Sequence, residues 1–327
     1  MKKVSCKIVV FLLLNLCIFT SVYADEIKVV PIGKAVGVKI YTDGLLVVGT
    51  SEVNGENVSK KYGIKINDRI EKINNQLINS TEEFSKTVNE NPSGVALSIK
   101  RDNQDILINA VPVLSEDNIY RLGLWVRDST AGIGTVTYYN PQNNSFAALG
   151  HGINDIDTGN ILSVKSGNIL NCDILSVSKS SKGHPGEING AFDGNTIGNI
   201  SINSQIGIYG NMSCDEFSSD NAMPVAAKEQ ICESDAYILS DVIGQKTEKY
   251  SIKINKITND SDKGLIIEIT DPRLIDCTGG IVQGMSGSPN LQKGMLLGAG
   301  THVFVNNPTK GYGTLAENMI DMTNTID

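Results

Sequence analysis

The stretch that decides the fold of this 327-residue chain reads Gly284-Met285-Ser286-Gly287-Ser288-Pro289. Attack on a carbonyl needs a serine hydroxyl clear of its neighbours and backbone N–H groups that converge on the developing oxyanion. Gly284 and Gly287 remove the side chains that would obstruct this approach. We therefore predict Ser286 as a nucleophile and the N–H groups of Gly284 and Ser286 as oxyanion donors. The alternatives are Ser288 as the nucleophile and a plain tight turn, because Gly, Ser and Pro are common turn formers.

A serine hydroxyl stays inert until a base removes its proton, and histidine is the usual base. The chain has three histidines in different settings. His151 follows an apolar stretch and has small residues on both sides, which leaves its imidazole unobstructed. His184 precedes Pro185 in a polar loop typical of a surface residue. His302 follows the predicted strand that leaves the serine loop, so it could also lie near the site. We predict His151 as the base and keep His302 as its rival.

An acid that orients the imidazole completes this kind of site. Asp271 follows a predicted strand over residues 265–270, and active-site loops gather at strand ends. We predict Asp271 as the orienting acid, with an Asp-Pro turn as the alternative. Asp155 and Asp157 are too close to His151 in sequence to be assumed in the right geometry, and turn residues are the alternative for them.

The composition indicates a folded, β-rich chain. Hydrophobic residues make up 40% and charged residues 20%, as in globular proteins, and the 32 glycines indicate many turns. The net charge of −8 comes without a basic cluster, which argues against a nucleic-acid partner. No Cys-x-x-Cys pair supports a zinc motif. The predicted acyl-transfer chemistry also needs neither a metal nor a cofactor.

The N-terminal segment has the pattern of an export signal. Three lysines precede an apolar run over residues 8–23, and Val22-Tyr23-Ala24 places small residues at a cleavage site. The run is shorter than the ~20 residues that comfortably span a bilayer. We predict a signal peptide over residues 1–24, with an uncleaved membrane anchor as the alternative.

Four of the six cysteines lie beyond the export segment. In an exported chain they could form two disulfides, or they could equally be free buried thiols. Their sequence positions do not choose between these states. They are Cys172, Cys214, Cys232 and Cys277.

Residues 25–113 have the pattern of a small α+β module. A helix over residues 81–89 would bury Phe84 and Val88, which lie four apart on one face. Residues 95–108 alternate apolar and polar side chains around a polar turn, which predicts a β-hairpin. This order of elements predicts one compact domain with its own core.

Part of this module resembles the signature of PDZ domains, which are small peptide-binding domains. The segment reads Gly63-Ile64-Lys65-Ile66-Asn67-Asp68-Arg69-Ile70, with Asn67 where glycine is usual. Asparagine tolerates the left-handed conformation, so the turn can survive. The resemblance implies a loop whose N–H groups hold a terminal carboxylate while the peptide adds a strand to the sheet. The implied peptide-binding residues are Ile32, Gly33, Val36, Gly37 and Val38.

Residues 114–327 have the pattern of a longer β-rich domain. Short apolar runs recur between turn signals, which favours a barrel or a pair of barrels over alternating β and α units. Residues 315–322 form the one predicted helix, which would pack a barrel from outside. The serine loop also resembles the Gly-x-Ser-Gly-x-Pro loop of chymotrypsin-like serine peptidases. The predicted fold class is therefore mainly β, with a PDZ-like α+β domain followed by a chymotrypsin-like double β-barrel.

Six segments together look like the SpoIVB peptidase family of spore-forming bacteria. The likeness covers almost the whole chain, and the eleven-residue serine block is more specific than a generic serine-protease loop. The segments are residues 122–135, 148–153, 157–159, 270–272, 279–289 and 301–306.

This resemblance implies a serine endopeptidase with His151 as the base, Asp271 as the third residue and Ser286 as the nucleophile. The enzyme would be exported across the forespore membrane into the space between two membranes, with a membrane anchor before self-cleavage as an alternative. It would cleave itself and then a membrane-bound regulator of sigma-factor processing. Its PDZ domain would bind peptide C-termini or internal peptides.

Two hypotheses without catalysis stand beside the peptidase. One is a PDZ scaffold with a degenerate peptidase domain, and the other is an envelope binding protein that uses the same module without turnover. The complete His/Asp/Ser set favours the peptidase. A sequence does not show that the three side chains meet in space.

Overall fold

The computed structural model describes residues 27–212, 219–244 and 246–325. The predicted signal segment and Cys214 lie outside these residues. No helix in the described part of the chain is long and apolar enough to cross a membrane.

Strands dominate the described chain, as predicted. The helices are α1 (Val58–Tyr62), α2 (Thr81–Glu90), α3 (Pro272–Thr278) and α4 (Ala316–Thr323). The strands of the N-terminal half are β1 (Lys28–Pro31), β2 (Ala35–Thr50), β3 (Arg69–Ile73), β4 (Gln76–Leu77), β5 (Val95–Arg101), β6 (Gln104–Ala110), β7 (Val113–Leu114), β8 (Tyr120–Arg121), β9 (Leu124–Asn140) and β10 (Ser145–Ala148). The remaining strands are β11 (Val164–Ser178), β12 (Glu187–Ser204), β13 (Gly207–Met212), β14 (Met223–Pro224), β15 (Asp235–Ser240), β16 (Glu248–Ile257), β17 (Leu265–Ile269), β18 (Pro289–Gln292), β19 (Met295–Phe304) and β20 (Asn307–Leu315).

Two barrels form the body of the molecule. In the first, the pairing order is β9-β10-β13-β12-β11-β2, and β2 pairs back onto β9 to close the ring. The second barrel closes in the order β15-β16-β17-β20-β19-β18. Alternation along β17 buries Leu265, Ile267 and Ile269 inside the second barrel. The predicted double barrel is therefore confirmed.

A PDZ-like α+β unit joins the first barrel through two shared strands. The second half of β2 pairs with β3 and with the start of β9, and β5 and β6 extend the sheet. Helix α2 covers this sheet and buries Phe84 and Val88 as predicted, with Ser80 as its N-cap. Asn67 adopts a left-handed φ of 74°. The core of the unit contains Leu45, Val47, Ile70, Phe84, Val88 and Leu97.

The predicted division at residues 113 and 114 differs from the one in the structure. Residues 28–42 belong to the first barrel, because β1 pairs with β9 and the first half of β2 pairs with both β9 and β11. The PDZ-like unit thus lies between two segments of the first barrel. The long strands β2 and β9 each cross the boundary, which no local pattern in the sequence indicates.

The residues predicted to bind a peptide therefore lie inside the first barrel and not at a free sheet edge. They are Ile32, Gly33, Val36, Gly37 and Val38. Val36, Gly37 and Val38 pair with β9 on one side and β11 on the other, so neither edge can accept a peptide strand. The N–H groups of Ile32 and Gly33 donate to the carbonyls of Thr137 and Val136. This segment stabilises the barrel and has no free edge for a ligand.

The C-terminal helix lies in the seam between the barrels. Helix α4 contacts β10 and β13 of the first barrel and β19 and β20 of the second. Ala316, Met319 and Ile320 are buried against Tyr138 and Tyr209. The helix predicted over residues 315–322 is confirmed, and it packs against both barrels at once.

Candidate active site

A cavity of about 530 Å³ opens between the two barrels. The first barrel contributes residues 130–133 of β9 and the turn that contains His151. The second barrel contributes residues 281–284, Ser286 and residues 301–303. The structure therefore brings the predicted nucleophile, the predicted base and the rival base into one site.

Strand β9 of the first barrel holds the serine loop of the second. The N–H of Thr135 donates to the Ser286 carbonyl at 2.9 Å, and its hydroxyl donates to the Gly284 carbonyl at 2.7 Å. The Thr137 hydroxyl donates to the Gly287 carbonyl at 2.8 Å. These buried bonds fix the loop against the barrel that carries His151.

The serine loop leaves two backbone donors available. Gly287 has a φ of 101°, and a Cβ there would lie 2.0 Å from the Thr135 carbonyl oxygen, so only glycine fits. The N–H groups of Met285 and Gly287 donate to protein carbonyls. Those of Gly284 and Ser286 have no acceptor among the hydrogen bonds of the described residues. The pair predicted to bind an oxyanion is thus free to do so.

The two serines of the loop differ in their surroundings. Ser286 lines the cavity, and its Oγ donates to the Thr301 carbonyl at 2.7 Å. Ser288 is fully buried in the second barrel, where no substrate can reach it. Ser286 is therefore the accessible hydroxyl, and it must leave Thr301 before it can donate a proton to His151.

His151 has a defined tautomer in this geometry. Its Nδ1 lies 2.8 Å from the carbonyl oxygen of Gly152. A carbonyl can only accept, so Nδ1 carries the hydrogen of the neutral ring and Nε2 keeps its lone pair. Burial lowers the pKa of His151 below its ordinary 6.5, with a smaller opposing effect from the Gly152 carbonyl. The ring is therefore a neutral base at pH 7.

His302 lies directly against His151. The ring centroids are 4.6 Å apart and the planes are tilted by 39°, which is a face contact. Partial desolvation in the cavity, the neighbouring His151 and then Lys263 lower the pKa of His302 to about 4. Both rings are neutral at physiological pH, and His184 lies apart in an exposed turn.

Asp271 is not brought to His151. Its carboxylate caps α3 by accepting from the Arg273 N–H at 3.0 Å, accepts from the Ser251 N–H at 3.2 Å, and forms an ion pair with Arg273. Arg273 is the main cause of its lowered pKa. The alternative of an Asp-Pro turn at a helix start is the one that the structure shows. The sequence context was misleading because a helix cap and a catalytic acid both place aspartate at a strand end.

Asp155 is a turn residue, which was one of the two predictions for it. Its Oδ1 accepts from the N–H groups of Asp157 and Thr158, and its carboxylate pairs with Arg127 of β9. Asp157 also pairs with Arg127, at 2.6 Å. The two acids hold the loop after His151 against β9. In the cavity lining, the titratable side chains are His151 and His302.

A second cavity, of about 820 Å³, lies between α2 and the start of β9. Phe84, Ser85 and Val88 line it from the helix, and residues 122–126 line it from the strand. We call it the α2–β9 groove. It lies in the PDZ-like unit, and residues 32–38 are not part of its lining.

Gly123 lies at the end of the α2–β9 groove in a conformation that requires glycine. Its φ is 64°, and a Cβ there would lie 2.3 Å from the Ser51 carbonyl oxygen. In the described part of the chain, the N–H groups of Leu122 and Gly123 donate to no acceptor, so they can bind a carboxylate. This site was not predicted, because Leu122-Gly123-Leu124 follows the module in the sequence and does not precede it.

Comparisons with known proteins identify a family and a similar solved structure. A model of the family described as SpoIVB peptidase S55 matches residues 118–320, more than half of the chain. No curated protein gives a significant match. Among solved structures, the PDZ domain of the SdrC-like protein from Listeria monocytogenes is similar at 15% identity and a TM-score of 0.23, covering 26% of this chain and 87% of that one.

Proposed function

Because the chain belongs to the SpoIVB peptidase S55 family and is therefore a serine peptidase, we propose that Ser286 is its nucleophile and His151 its general base. The observation that carries this assignment is that both side chains line one cavity between the barrels. The N–H groups of Gly284 and Ser286 are the oxyanion donors. The reaction is acyl transfer by the chain's own side chains and backbone.

The mechanism begins when the Ser286 hydroxyl turns from the Thr301 carbonyl towards His151. Nε2 takes the hydroxyl proton as Oγ bonds to the substrate carbonyl carbon, and the two N–H groups stabilise the oxyanion. His151 then donates this proton to the leaving amine, and the peptide bond breaks. Water attacks the acyl-enzyme by the same route and frees Ser286.

The Gly152 carbonyl takes the orienting role first assigned to Asp271. It accepts from Nδ1 and keeps Nε2 available. His302 covers one face of the same ring and can stabilise the imidazolium that forms when His151 takes the proton. Asp271 supports the site indirectly, because α3 leads into residues 281–284 and Ser286 of the cavity wall.

The biological role that we propose is signalling by cleavage during sporulation. The chain would be exported across the forespore membrane, cleave itself, and then cleave a membrane-bound regulator of sigma-factor processing. The support is the family and the export pattern of residues 1–24. The α2–β9 groove would bind peptide C-termini in this process.

Intact mass of the full chain over time tests the catalytic assignment. Wild type is expected to shorten near its N-terminus, and Ser286→Ala is expected to keep its full mass. Ser288→Ala is the matched control and should shorten like wild type, since this side chain lies away from the cavity. Shortening of Ser286→Ala at the wild-type rate contradicts the assignment.

A scaffold without catalysis is the second candidate. The observation that favours it is the bond from the Ser286 hydroxyl to the Thr301 carbonyl instead of to His151. A fluorophosphonate reagent separates the two, because it labels a serine only when a base activates it. Labelling of Ser286 at a rate that depends on His151 supports the peptidase, and labelling no faster than that of a surface serine supports the scaffold.

A further inference from the structure

One strand connects the α2–β9 groove with the cavity of Ser286. Residues 124–126 of β9 line the groove, and residues 130–133 line the active-site cavity. Farther along the same strand, the N–H of Thr135 bonds to the carbonyl of Ser286 itself. The two sites therefore lie at the two ends of one stretch of β9.

The outer edge of this stretch is free. Strand β2 pairs with one edge of β9 from Leu124 to Thr135. On the other edge, pairing begins only at Val136 with β10, and no strand of the described chain pairs with residues 124–134 there. Ala131 and Gly132 are exposed. A free edge of this length is a template on which another chain can add a strand.

The groove fixes the direction of an added strand. A peptide carboxylate bound by the N–H groups of Leu122 and Gly123 places the peptide's C-terminus at the start of β9. The rest of the peptide must then run antiparallel to β9, towards Ile133 and the cavity of Ser286. The opposite direction would place the free carboxylate where neither N–H group is available.

Side chains of β9 leave this edge open. Asp128 accepts from the N–H of Thr81 at the start of α2, at 3.0 Å, and Arg127 pairs with Asp155 and Asp157. Side chains of a strand stand roughly perpendicular to its sheet, whereas an added strand lies in the plane of the sheet. These contacts hold α2 and the His151 loop on either side of the path.

We propose that a protein substrate binds with its free C-terminal segment as an added strand along β9, so that the groove holds its carboxylate while Ser286 cleaves upstream. This rests on the proposed peptidase function. An antiparallel partner has one residue opposite each residue of β9, and β9 runs from Leu124 at the groove to Thr135 beside Ser286. The scissile bond is therefore expected about ten to twelve residues before the substrate's C-terminus.

Peptide libraries of varied length test this distance. Each peptide has eight randomised residues, a Gly-Ser spacer of two, six, ten or fourteen residues, and a C-terminal Leu-Val with a free carboxylate. Wild-type full chain is expected to cleave peptides with spacers of two, six and ten residues about ten to twelve residues before the C-terminus, with about tenfold less cleavage when the C-terminus is amidated. Peptides with the fourteen-residue spacer are expected to be cleaved poorly, because this bond then lies in the Gly-Ser spacer. Mass spectrometry of the products reads the cleaved bond directly.

Two variants separate the outcomes. Ser85→Trp fills the groove from an exposed position on α2 and is expected to cleave without a preferred distance. Lys86→Trp, on the same helix but outside the groove lining, keeps the preference. Cleavage by wild type that ignores both spacer length and amidation overturns the proposal while leaving the peptidase function intact. If wild type cleaves no peptide, or Ser286→Ala cleaves as well as wild type, the peptidase assignment fails and the proposal fails with it.

Hydrogen exchange gives a second readout on the enzyme itself. Ser286→Ala traps the uncleaved ten-residue-spacer peptides, which should protect backbone amides over both residues 124–127 and residues 130–133. The six-residue peptide Gly-Ser-Gly-Ser-Leu-Val, which reaches only to about residue 129 of β9, should leave the second range unprotected. Equal protection by both lengths, or none in β9, contradicts pairing along the strand.

Discussion

Two parts of β9 would serve a bound peptide differently, although they lie on one strand. Residues 124–126 form the groove end, which would recognise the peptide, and residues 130–133 form the catalytic end, beside the cavity where it would be cleaved. At the groove, binding groups come from neighbouring sequence: α2, the loop before β9, and β9 itself. At the cavity, chemistry is assembled from His151 and Ser286, which are far apart in sequence and on different barrels. The residues that would recognise a peptide are therefore close together in sequence, and those that would cleave it are far apart. Substitutions can thus disrupt recognition and catalysis separately.

The largest expected effect is at the catalytic end. His151→Ala removes the base and should slow fluorophosphonate labelling of Ser286 by about 10³-fold. Binding of a fluorescein-labelled peptide that ends in Leu-Val with a free carboxylate should not change, because the groove does not contain His151. A loss of peptide binding in His151→Ala, with unchanged circular dichroism, would show that the two ends are not separable.

Substitution of His302, which contacts His151, should have a smaller effect on the labelling of Ser286. His302→Ala removes the aromatic face beside the imidazolium and should slow labelling by about tenfold. His302→Phe keeps a face and should stay within about threefold of wild type. Equal rates for all three proteins would exclude a positioning role, and a loss in His302→Phe as large as that in His302→Ala would assign the role to a ring nitrogen.

The groove end is tested by Ser85→Trp, which should weaken binding of the same labelled peptide by about tenfold or more. The indole would occupy the space between α2 and β9, while the buried Phe84 and Val88 stay unchanged. Fluorescence polarisation measures the binding, and Lys86→Trp is the matched control on the exposed face. Unchanged fluorophosphonate labelling in Ser85→Trp is also expected, because a small reagent does not need the groove.

Local patterns predicted the parts of this molecule that depend on neighbouring residues. Helix α2, the left-handed Asn67 and the glycine-framed Ser286 all follow from side-chain size and spacing over a few residues. The sequence also predicted the double barrel, and it proposed His151 as the base, which the structure places in the same cavity as Ser286. It could not show that β2 and β9 each run through two domains, because continuity of a strand across a boundary depends on partners distant in sequence.

The same limit explains the two errors at the sites. The segment over residues 32–38 has the glycines and apolar residues of a binding loop, but pairing on both edges appears only in the folded sheet. Asp271 has a suitable neighbourhood for a catalytic acid, but its partner Arg273 is two residues away and captures the carboxylate. Whether a carboxylate pairs with a neighbour in sequence or with a distant residue depends on the folded structure.

The pH dependence of labelling should sharpen the comparison at the catalytic end. His151 must be neutral to act as a base, and burial holds its pKa below 6.5. Labelling should therefore rise with pH through a midpoint below 6.5 and stay level through neutrality. His302→Ala lets water reach the ring and should move the midpoint up towards 6.5, whereas His302→Phe should leave it in place. A wild-type midpoint above 6.5 would contradict the buried, neutral base.

The smallest effect on catalysis is expected at Asp271, whose contribution is to stability. Asp271→Ala removes the cap of α3 and should lower the free energy of unfolding by about 1–2 kcal/mol, while Asp271→Asn keeps an acceptor and should cost less.

The pKa of Asp271 is lowered from its ordinary 3.8, chiefly by Arg273, so its charge stabilises the fold above that pH. This contribution is lost as the pH falls through the lowered value, and the difference between wild type and Asp271→Asn should vanish there. Urea unfolding at several pH values measures it. Labelling of Ser286 in folded Asp271→Asn should stay within about twofold of wild type, because in the proposed mechanism the Gly152 carbonyl orients His151. A hundredfold loss of labelling with intact stability would return Asp271 to the catalytic group.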